Sequence, residues 1–208
     1  MATPRRRNAR GQGELLRDEL LAAAVTLLDE GGDPAAVTVR GVASRVGAAP
    51  NAVYLHFASR DALVVEAVAT RFATFTDTLR AIAATVDDPL GQLRAGHDAY
   101  MAFARANPGV YRAMFGGQSL DPDNVELGRR LIHAAYPAFE ELLGIVQRCL
   151  DTGVLPPTVD RDGFARVLFA AEHGWSDLAT SSRGALLPAR DHILDTLLAL
   201  AARPTGAA

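Results

Sequence analysis

Apolar residues recur along most of the chain at spacings of three and four positions, which is the period of an α-helix. Short alternating apolar runs, typical of half-buried strands, are scarce, so the pattern predicts an all-α fold. The first apolar stripe predicts a helix that ends at Gly31 and Gly32, since glycine commonly terminates helices. This stripe consists of Leu16, Leu20, Ala23, Leu27 and Leu28.

Capping residues predict the start of most later helices. Thr38 is expected to cap a short helix that ends near Val46, and Gly47 supplies a tight turn. Pro50 suits the first turn of a second short helix that runs to about Phe57. A long helix is predicted after Ser59, reaching about residue 86, and further helices are predicted near residues 89–106, 108–115 and 122–152, from about 160 and from about 188.

One residue within the predicted helix 122–152 is unfavourable for helical hydrogen bonding. Pro137 lacks the backbone N–H that an interior helical position uses. We therefore expect this helix to be kinked or split there. Asp121 followed by Pro122 is expected to form its N-terminal cap.

Charge and cysteine content narrow the class of protein. Residues 1–60 contain eight Arg against six acidic residues, whereas residues 61–208 contain thirteen Arg against eighteen acidic residues. A basic end on an acidic body favours a local nucleic-acid contact over a protein that coats DNA with its whole surface. Cys149, the lone cysteine, excludes an intramolecular disulfide and a multi-cysteine zinc site.

The sequence contains neither a run long enough to span a membrane nor a signal peptide, so we expect a cytoplasmic protein with no membrane partner.

The segment from Thr38 to Leu63, TVRGVASRVGAAPNAVYLHFASRDAL, meets the packing demands of a helix-turn-helix. Three valines are placed to face a small core, Ala43 is small where two helices cross, and Gly47 allows the turn. The second helix then presents polar and aromatic groups outward. Such groups suit base edges in a DNA groove and backbone phosphates.

This segment resembles the DNA-binding region of the TetR family, in which a threonine-capped helix and an Ala-x-x-x-Gly turn precede a Tyr-x-His-Phe ending. The resemblance implies a homodimer that binds double-stranded operator DNA. It implies that the residues that bind DNA phosphates are Thr38, Tyr54, His56 and Arg60. It also implies that the residues that contact bases are Arg40, Pro50, Asn51 and Ala52. Ala49 and Asn51 depart from the residues often found in the family, which is expected to change the bases that are read.

The C-terminal part resembles the TetR subgroup with a Trp-His-Gly signature. The resemblance lies in residues 107–115, NPGVYRAMF, and 169–179, FAAEHGWSDLA. The pair His173-Gly174 is retained, whereas Phe169 stands where this subgroup usually has Trp. The expected organisation is a flexible basic arm at 1–12, a three-helix DNA-binding domain at 13–60, an effector-binding and dimerisation domain at 61–202, and a tail at 203–208.

A short recognition helix contacts too few base pairs to find one genomic site, so a second copy is required. The family resemblance implies that the dimer interface lies on the last two helices. Their apolar stripes place the candidate interface residues at Trp175, Leu178, Leu194, Leu197 and Leu198.

Aromatic and thioether side chains are concentrated between residues 59 and 150, which favours a pocket for a lipophilic effector. The candidate lining residues are Phe72, Phe75, His97, Tyr100, Met101, Tyr111, Met114, His133 and Tyr136. For each of them, filling the core is an equally good interpretation. No Arg pair suggests a clamp for a highly charged ligand.

Catalysis and metal binding find little support in the sequence. The pairs Glu140-Glu141 and Glu172-His173 are adjacent on helices, so their side chains point about 100° apart and do not converge on one atom. The histidines are not spaced at i, i+4, and no cofactor is expected. Two alternatives stay open: an enzyme or ligand-storage module with an incidental helix-turn-helix, and a DNA-architectural protein without an effector.

Overall fold

The computed structural model describes residues 12–115, 124–179 and 187–203. Within them the chain is helical and contains no β-strand, which confirms the predicted all-α class. The α-helices are α1 (Gln12–Gly31), α2 (Val39–Arg45), α3 (Pro50–Tyr54), α4 (Arg60–Thr85), α5 (Pro89–Ala106), α6 (Pro108–Phe115), α7 (Val125–Asp151), α8 (Arg161–Ala179) and α9 (Asp191–Ala201).

Side-chain caps fix the starts of several helices. Thr38 Oγ1 accepts a hydrogen bond from the Gly41 amide at 3.0 Å, and Ser59 Oγ accepts one from the Ala62 amide at 3.0 Å. Asp88 caps α5 in the same way, at 2.7 Å from the Gly91 amide. Each cap satisfies an amide that has no partner inside its own helix, which is why these starts could be predicted.

Four local details differ from the sequence predictions. A single 3-10 turn, Pro34–Ala36, precedes α2 and was not predicted. The helix α3 ends at Tyr54 rather than near Phe57, and α9 begins at Asp191 rather than near Pro188. Pro137 does not split α7, which continues to Asp151. The predicted cap at Asp121-Pro122 lies outside the described residues; Asn124 accepts from the Leu127 amide at 3.1 Å instead.

The described residues form two compact units that do not follow the predicted boundary at residue 60. Unit 1 takes its residues from Met1–Thr74 and Ala106–Tyr136, and unit 2 from Phe75–Arg105 and Pro137–Ala208. Unit 1 therefore combines α1 to α3 with α6, the first part of α4 and the first part of α7. The sequence pattern assigned α6 to the effector domain because its period shows only that it is amphipathic, not which helix it packs against.

Each unit has its own core. Unit 1 buries Leu20, Leu28, Val53 and Leu63 completely. The core of unit 2 is formed by α5, α7, α8 and α9 and includes Leu93, Ile145, Leu168 and Leu194. None of the described helices is both long and apolar enough to span a bilayer.

Candidate DNA-binding surface and effector site

The helix-turn-helix is built as the sequence predicts. Val42 and Ala43 of α2 and Val53 of α3 are buried, so the two helices pack through small apolar side chains. Gly47 has φ +67°, a left-handed conformation that side chains with a Cβ disfavour. The amide of Ala48 then donates to the Ala43 carbonyl at 2.9 Å and closes the turn.

The face of α3 opposite Val53 is open to solvent. Tyr54 is 55% exposed and Leu55, immediately after the helix, is 82% exposed. Among the other predicted contact residues, Thr38, Arg40, Pro50 and Asn51 are exposed, and Ala52 and His56 are half-buried. Leu55 was missed because an apolar residue beside a buried valine resembles a core position in the sequence.

Ion pairs hold α1 against the rest of unit 1. Arg17 pairs with Glu66 of α4, and its guanidinium lies 5.0 Å from the centre of the Phe57 ring. Arg71 of α4 pairs with Asp29 of α1. These contacts hold both ends of α1 against α4, which supports the helix-turn-helix formed by α2 and α3.

Arg60 has a different environment from the other predicted phosphate ligands. Its Nε donates to the Val37 carbonyl at 2.9 Å, its Nη2 donates to the Pro34 carbonyl, and its Nη1 pairs with Asp61 at 2.7 Å. The guanidinium thus ties the start of α4 to the turn before α2. We therefore interpret Arg60 mainly as a residue that stabilises the domain by linking α4 to the turn before α2, and only secondarily as a DNA contact.

Replacing Arg60 with Ala is expected to lower the free energy of unfolding by about 1 kcal/mol, because carbonyls of Pro34 and Val37 lose a charged donor. The matched control is Arg40→Ala, since Arg40 is exposed. We expect that control to leave urea unfolding unchanged. Equal stability of both variants would contradict the proposed stabilising role of Arg60.

The helix α6 is docked on α1 within unit 1. Arg112 Nη1 donates to the Gly32 carbonyl at 2.6 Å and so satisfies a backbone acceptor just after α1. Gly109 is buried, and a Cβ at this position would fall well inside 3.0 Å of the Leu28 carbonyl oxygen. The close approach of the two backbones therefore requires glycine at position 109.

Aromatic rings from α4, α5, α7 and α8 meet in unit 2. Phe75 stacks on Phe103 with 4.7 Å between ring centres, and it meets Tyr100 edge-on at 6.2 Å. Phe169 of α8 contacts Tyr100 at 6.0 Å and Phe139 of α7 at 6.3 Å. We call these five residues the aromatic cluster.

A buried polar pair lies one helical turn from this cluster. His97 Nδ1 and Glu172 Oε1 are 2.7 Å apart, and each side chain is only 4% exposed. Ser176 Oγ, one turn further along α8, donates to Met101 Sδ at 3.5 Å. Polar groups thus connect α5 to α8 at two successive turns.

Charges in the pair stabilise each other. Burial raises the pKa of Glu172, although the hydrogen bond and charge of His97 oppose this shift. Burial, the largest single effect, would lower the pKa of His97, but the hydrogen bond and charge of Glu172, with smaller contributions from Asp98 and the backbone of Arg190, outweigh it, so the pKa is raised. The pair therefore retains one shared proton more readily than two isolated groups would.

The predicted effector residues are divided between the two units. Phe75, His97, Tyr100 and Met101 belong to unit 2 and lie in or beside the aromatic cluster. The other five candidates belong to unit 1: Phe72, Tyr111, Met114, His133 and Tyr136. His133 and Tyr136 are exposed.

Sequence reasoning missed the contribution of α8 to this region. Phe169, Glu172 and Ser176 lie at spacings of three and four residues, so they share one face of the helix. That spacing was visible in the sequence. The partner of Glu172 was not, because His97 is 75 positions away.

The predicted dimer residues also separate into two groups. Leu194 is 1% exposed and lies in the core of unit 2, which corrects its assignment to an intermolecular surface. Trp175 Nε1 donates to the Pro188 carbonyl at 2.9 Å, within one protomer. Leu197 and Leu198 are half-buried against the core, and Leu178 is 38% exposed. Two exposed residues that were not predicted, Val167 and Leu200, lie on the same helices.

No group of three or more potential metal ligands is found in the described ranges. Cys149 is buried, and burial raises the pKa of its thiol to about 11. Its thiolate is therefore scarce near neutral pH, which argues against a reactive cysteine.

Two family models match the chain in the regions where these features lie. Residues 20–67 match the model described as bacterial regulatory proteins, tetR family. Residues 93–201, just over half of the chain, match the tetracyclin repressor-like C-terminal domain. The chain belongs to the TetR family of DNA-binding transcriptional regulators, a family of regulators rather than enzymes.

Individual proteins resemble the chain in sequence or in fold. The chain is 29% identical over 116 residues to nucleoid occlusion factor SlmA of Aliivibrio fischeri, and the match spans 56% of each protein. A Rhodococcus sp. RHA1 protein of unknown function has a similar structure, with TM-score 0.73, 24% identity, and 97% and 100% of the two chains covered. FadR of Bacillus subtilis, solved with stearoyl-CoA, gives TM-score 0.68 at 15% identity, covering 87% and 97%.

Proposed function

We propose that this protein is a repressor that binds a palindromic operator as a homodimer and leaves it when a small lipophilic effector binds. The observation that carries the DNA contact is the solvent-open face of α3, where Tyr54 and Leu55 are exposed directly beside the buried Val53. Large side chains presented to water on a second helix of this motif are available to enter the major groove.

The roles proposed for individual residues rest on the resemblance to the TetR family, and the exposure of most of these residues is compatible with them. Asn51, Ala52, Pro50 and Arg40 are proposed to meet bases, and Thr38, Tyr54 and His56 to hold phosphates. Arg60 can bind a DNA phosphate only through a guanidinium N–H that its hydrogen bonds within the protein leave available. Leu55 is added to the base-reading side, because an exposed apolar side chain can contact a thymine methyl group.

DNA binding is expected to fall steeply with salt, because phosphate contacts from two subunits release condensed counterions. Tyr54→Ala should weaken specific and random DNA alike. Asn51→Ala should reduce discrimination at particular base pairs by about 1–3 kcal/mol each. Gel-shift titrations with DNA from upstream of the gene measure both effects.

Equal losses on specific and random DNA for Asn51→Ala would remove this residue from base reading. The same titrations separate the alternatives for the whole protein. An architectural protein would bind random DNA nearly as well as its operator, and an enzyme with an incidental helix-turn-helix would bind neither.

A lipophilic effector is supported by the aromatic cluster of unit 2, whose five rings come from four different helices. A cluster of rings from several helices suits an apolar ligand. The fold shared with FadR of Bacillus subtilis, whose structure contains stearoyl-CoA, adds support for this chemical class. The helix α4 begins just after the helix-turn-helix in the sequence and contributes Phe75 to the cluster.

The proposed dimer interface consists of the exposed apolar positions of α8 and α9, namely Val167, Leu178 and Leu200. Replacing both Leu178 and Leu200 with Glu is expected to dissociate the dimer, because each copy would bury unpaired charges. Operator affinity should fall with it although the helix-turn-helix is unchanged. Light scattering and gel shifts measure the two effects.

The matched control for this variant is Ile132→Glu on α7, where Ile132 is 66% exposed. It places the same charge on an exposed apolar position outside the proposed interface. We expect this control to stay dimeric. A Leu178/Leu200 double variant that also stays dimeric would move the interface elsewhere.

A further inference from the structure

The buried pair of His97 and Glu172 contains one ring nitrogen that has no partner within hydrogen-bond distance among the described residues. His97 Nδ1 is bonded to Glu172 Oε1, whereas His97 Nε2 is buried without a hydrogen-bond partner among the described residues. A buried polar atom without a partner costs free energy, so it usually has a function or a missing ligand. The side chain is 4% exposed, which excludes bulk water as its routine partner.

The protonation of the pair determines whether Nε2 is a hydrogen-bond donor or acceptor. When the shared proton lies on Nδ1, His97 is an imidazolium and carries a second proton on Nε2. When the proton lies on Glu172 instead, His97 is neutral and its remaining proton is again on Nε2. In both forms Nε2 is a hydrogen-bond donor, and it becomes an acceptor only after the pair loses that proton.

Surrounding groups favour retention of this proton. Glu172 of α8 and Asp98 of α5 both raise the pKa of His97, and a smaller hydrogen-bonding contribution from the backbone of Arg190, just before α9, does the same. Arg190 is itself paired with Asp98 and Asp191. His173, on the same helix as Glu172, has a lowered pKa because of burial and so adds little positive charge.

We propose that His97 Nε2 is the polar anchor of the effector site and donates a hydrogen bond to a neutral carbonyl oxygen of a lipophilic ligand. The carbon skeleton of this ligand lies against the aromatic cluster, which is connected to the pair through Tyr100 and Phe169 on the same two helices. Glu172 is the positioning residue that keeps the proton on Nε2. This inference rests on the proposed effector response.

A neutral carbonyl fits better than a carboxylate or an amine. The pair is already balanced in charge when it holds its shared proton, so a buried carboxylate would add an uncompensated negative charge. An amine would place its own N–H donors against the N–H donor at His97 Nε2. Esters, thioesters, ketones and lactones therefore form the expected class, and the apolar cluster selects their hydrocarbon part.

The test uses the full-length protein and two matched series of probes. One consists of methyl octanoate, octanoate and octylamine, and the other of methyl benzoate, benzoate and benzylamine. We expect at least one ester to raise Tm and to shift the Nε2 resonance of His97 in ¹⁵N-detected histidine spectra, with the acids weaker and the amines inactive. Failure of both esters to do so would overturn the proposal.

The double variant His97→Leu/Glu172→Met removes the anchor without leaving a buried charge, since apolar residues of similar size commonly replace a buried ion pair without loss of stability. Affinity for the ester is expected to fall about tenfold, which corresponds to one hydrogen bond. Near-wild-type Tm in the absence of ester shows that the variant is folded. Should it fail to fold, the His97 resonance of the wild-type protein decides instead.

The outcomes separate this inference from the proposed function. Esters that bind with no change at His97 Nε2 would overturn the anchor while preserving a lipophilic effector. Amines that bind better than esters would overturn it too, because Nε2 would then be an acceptor. If no apolar compound binds and none releases operator DNA in gel shifts, both the anchor and the proposed effector response fail.

Discussion

Leu194→Ala is expected to lower the free energy of unfolding by about 2–5 kcal/mol, as large-to-small substitutions of fully buried leucines do. Leu194 is 1% exposed and packs with Leu93, Ile145 and Leu168 in the core of unit 2. Removing its side chain leaves a cavity between α9 and the helices beneath it. Urea unfolding at several protein concentrations provides the measurement.

The matched control is Leu200→Ala, the same substitution on the same helix at a position that is 52% exposed. Its effect should be small in the protomer and should grow as the protein is diluted, because it acts through the dimer equilibrium. The effect of Leu194→Ala should not depend on concentration. A concentration-dependent loss for Leu194→Ala would return this residue to the intermolecular surface.

Gly109→Ala is expected to destabilise the protein by about 3 kcal/mol, at the upper end of the range for overpacked positions. The added Cβ would meet the carbonyl oxygen of Leu28, and backbone cannot rotate aside as a side chain can. We therefore expect α6 to be displaced from α1. Thermal unfolding measures the loss, and hydrogen exchange of the α1 amides reports where it occurs.

Gly128→Ala on α7 is the matched control for this substitution. A Cβ at Gly128 has no neighbour within 4 Å, so only helix propensity changes. We expect that variant to be more stable than the wild type by roughly 0.5–1 kcal/mol. If Gly109→Ala behaved like Gly128→Ala, the close approach of α6 to α1 would be wrong.

These two substitutions concern positions that the amphipathic pattern alone misplaced. The period of α9 shows that Leu194 and Leu198 share a stripe, but an apolar stripe on a surface helix and one in a dimer interface have the same period. Only the packing of α9 on α7 and α8 shows that Leu194 faces the protomer core. Similarly, α6 has a clear amphipathic period, yet its docking on α1 depends on contacts 80 positions apart.

The candidate DNA surface was largely predictable, because its signals are local. Thr38 and Ser59 cap helices through bonds to amides three residues ahead, and Gly47 adopts the positive φ that its turn requires. Leu55 and Arg60 were exceptions. The sequence cannot show that Arg60 is bonded to carbonyls of Pro34 and Val37, since that depends on how the turn before α2 folds over α4.

The sequence by itself determined the all-α class, most helix boundaries and the helix-turn-helix, since helical period, capping bonds and glycine turns act over a few residues. The tertiary structure alone decided which helix covers each apolar stripe and which distant polar groups meet. His97 and Glu172 illustrate this difference. Each looked like an ordinary helical residue in the sequence, and only the packing of α5 on α8 places them 2.7 Å apart in a buried site. Burial then makes His97 Nε2, which has no partner within hydrogen-bond distance among the described residues, chemically significant, because an unpaired polar group is costly only where water is excluded.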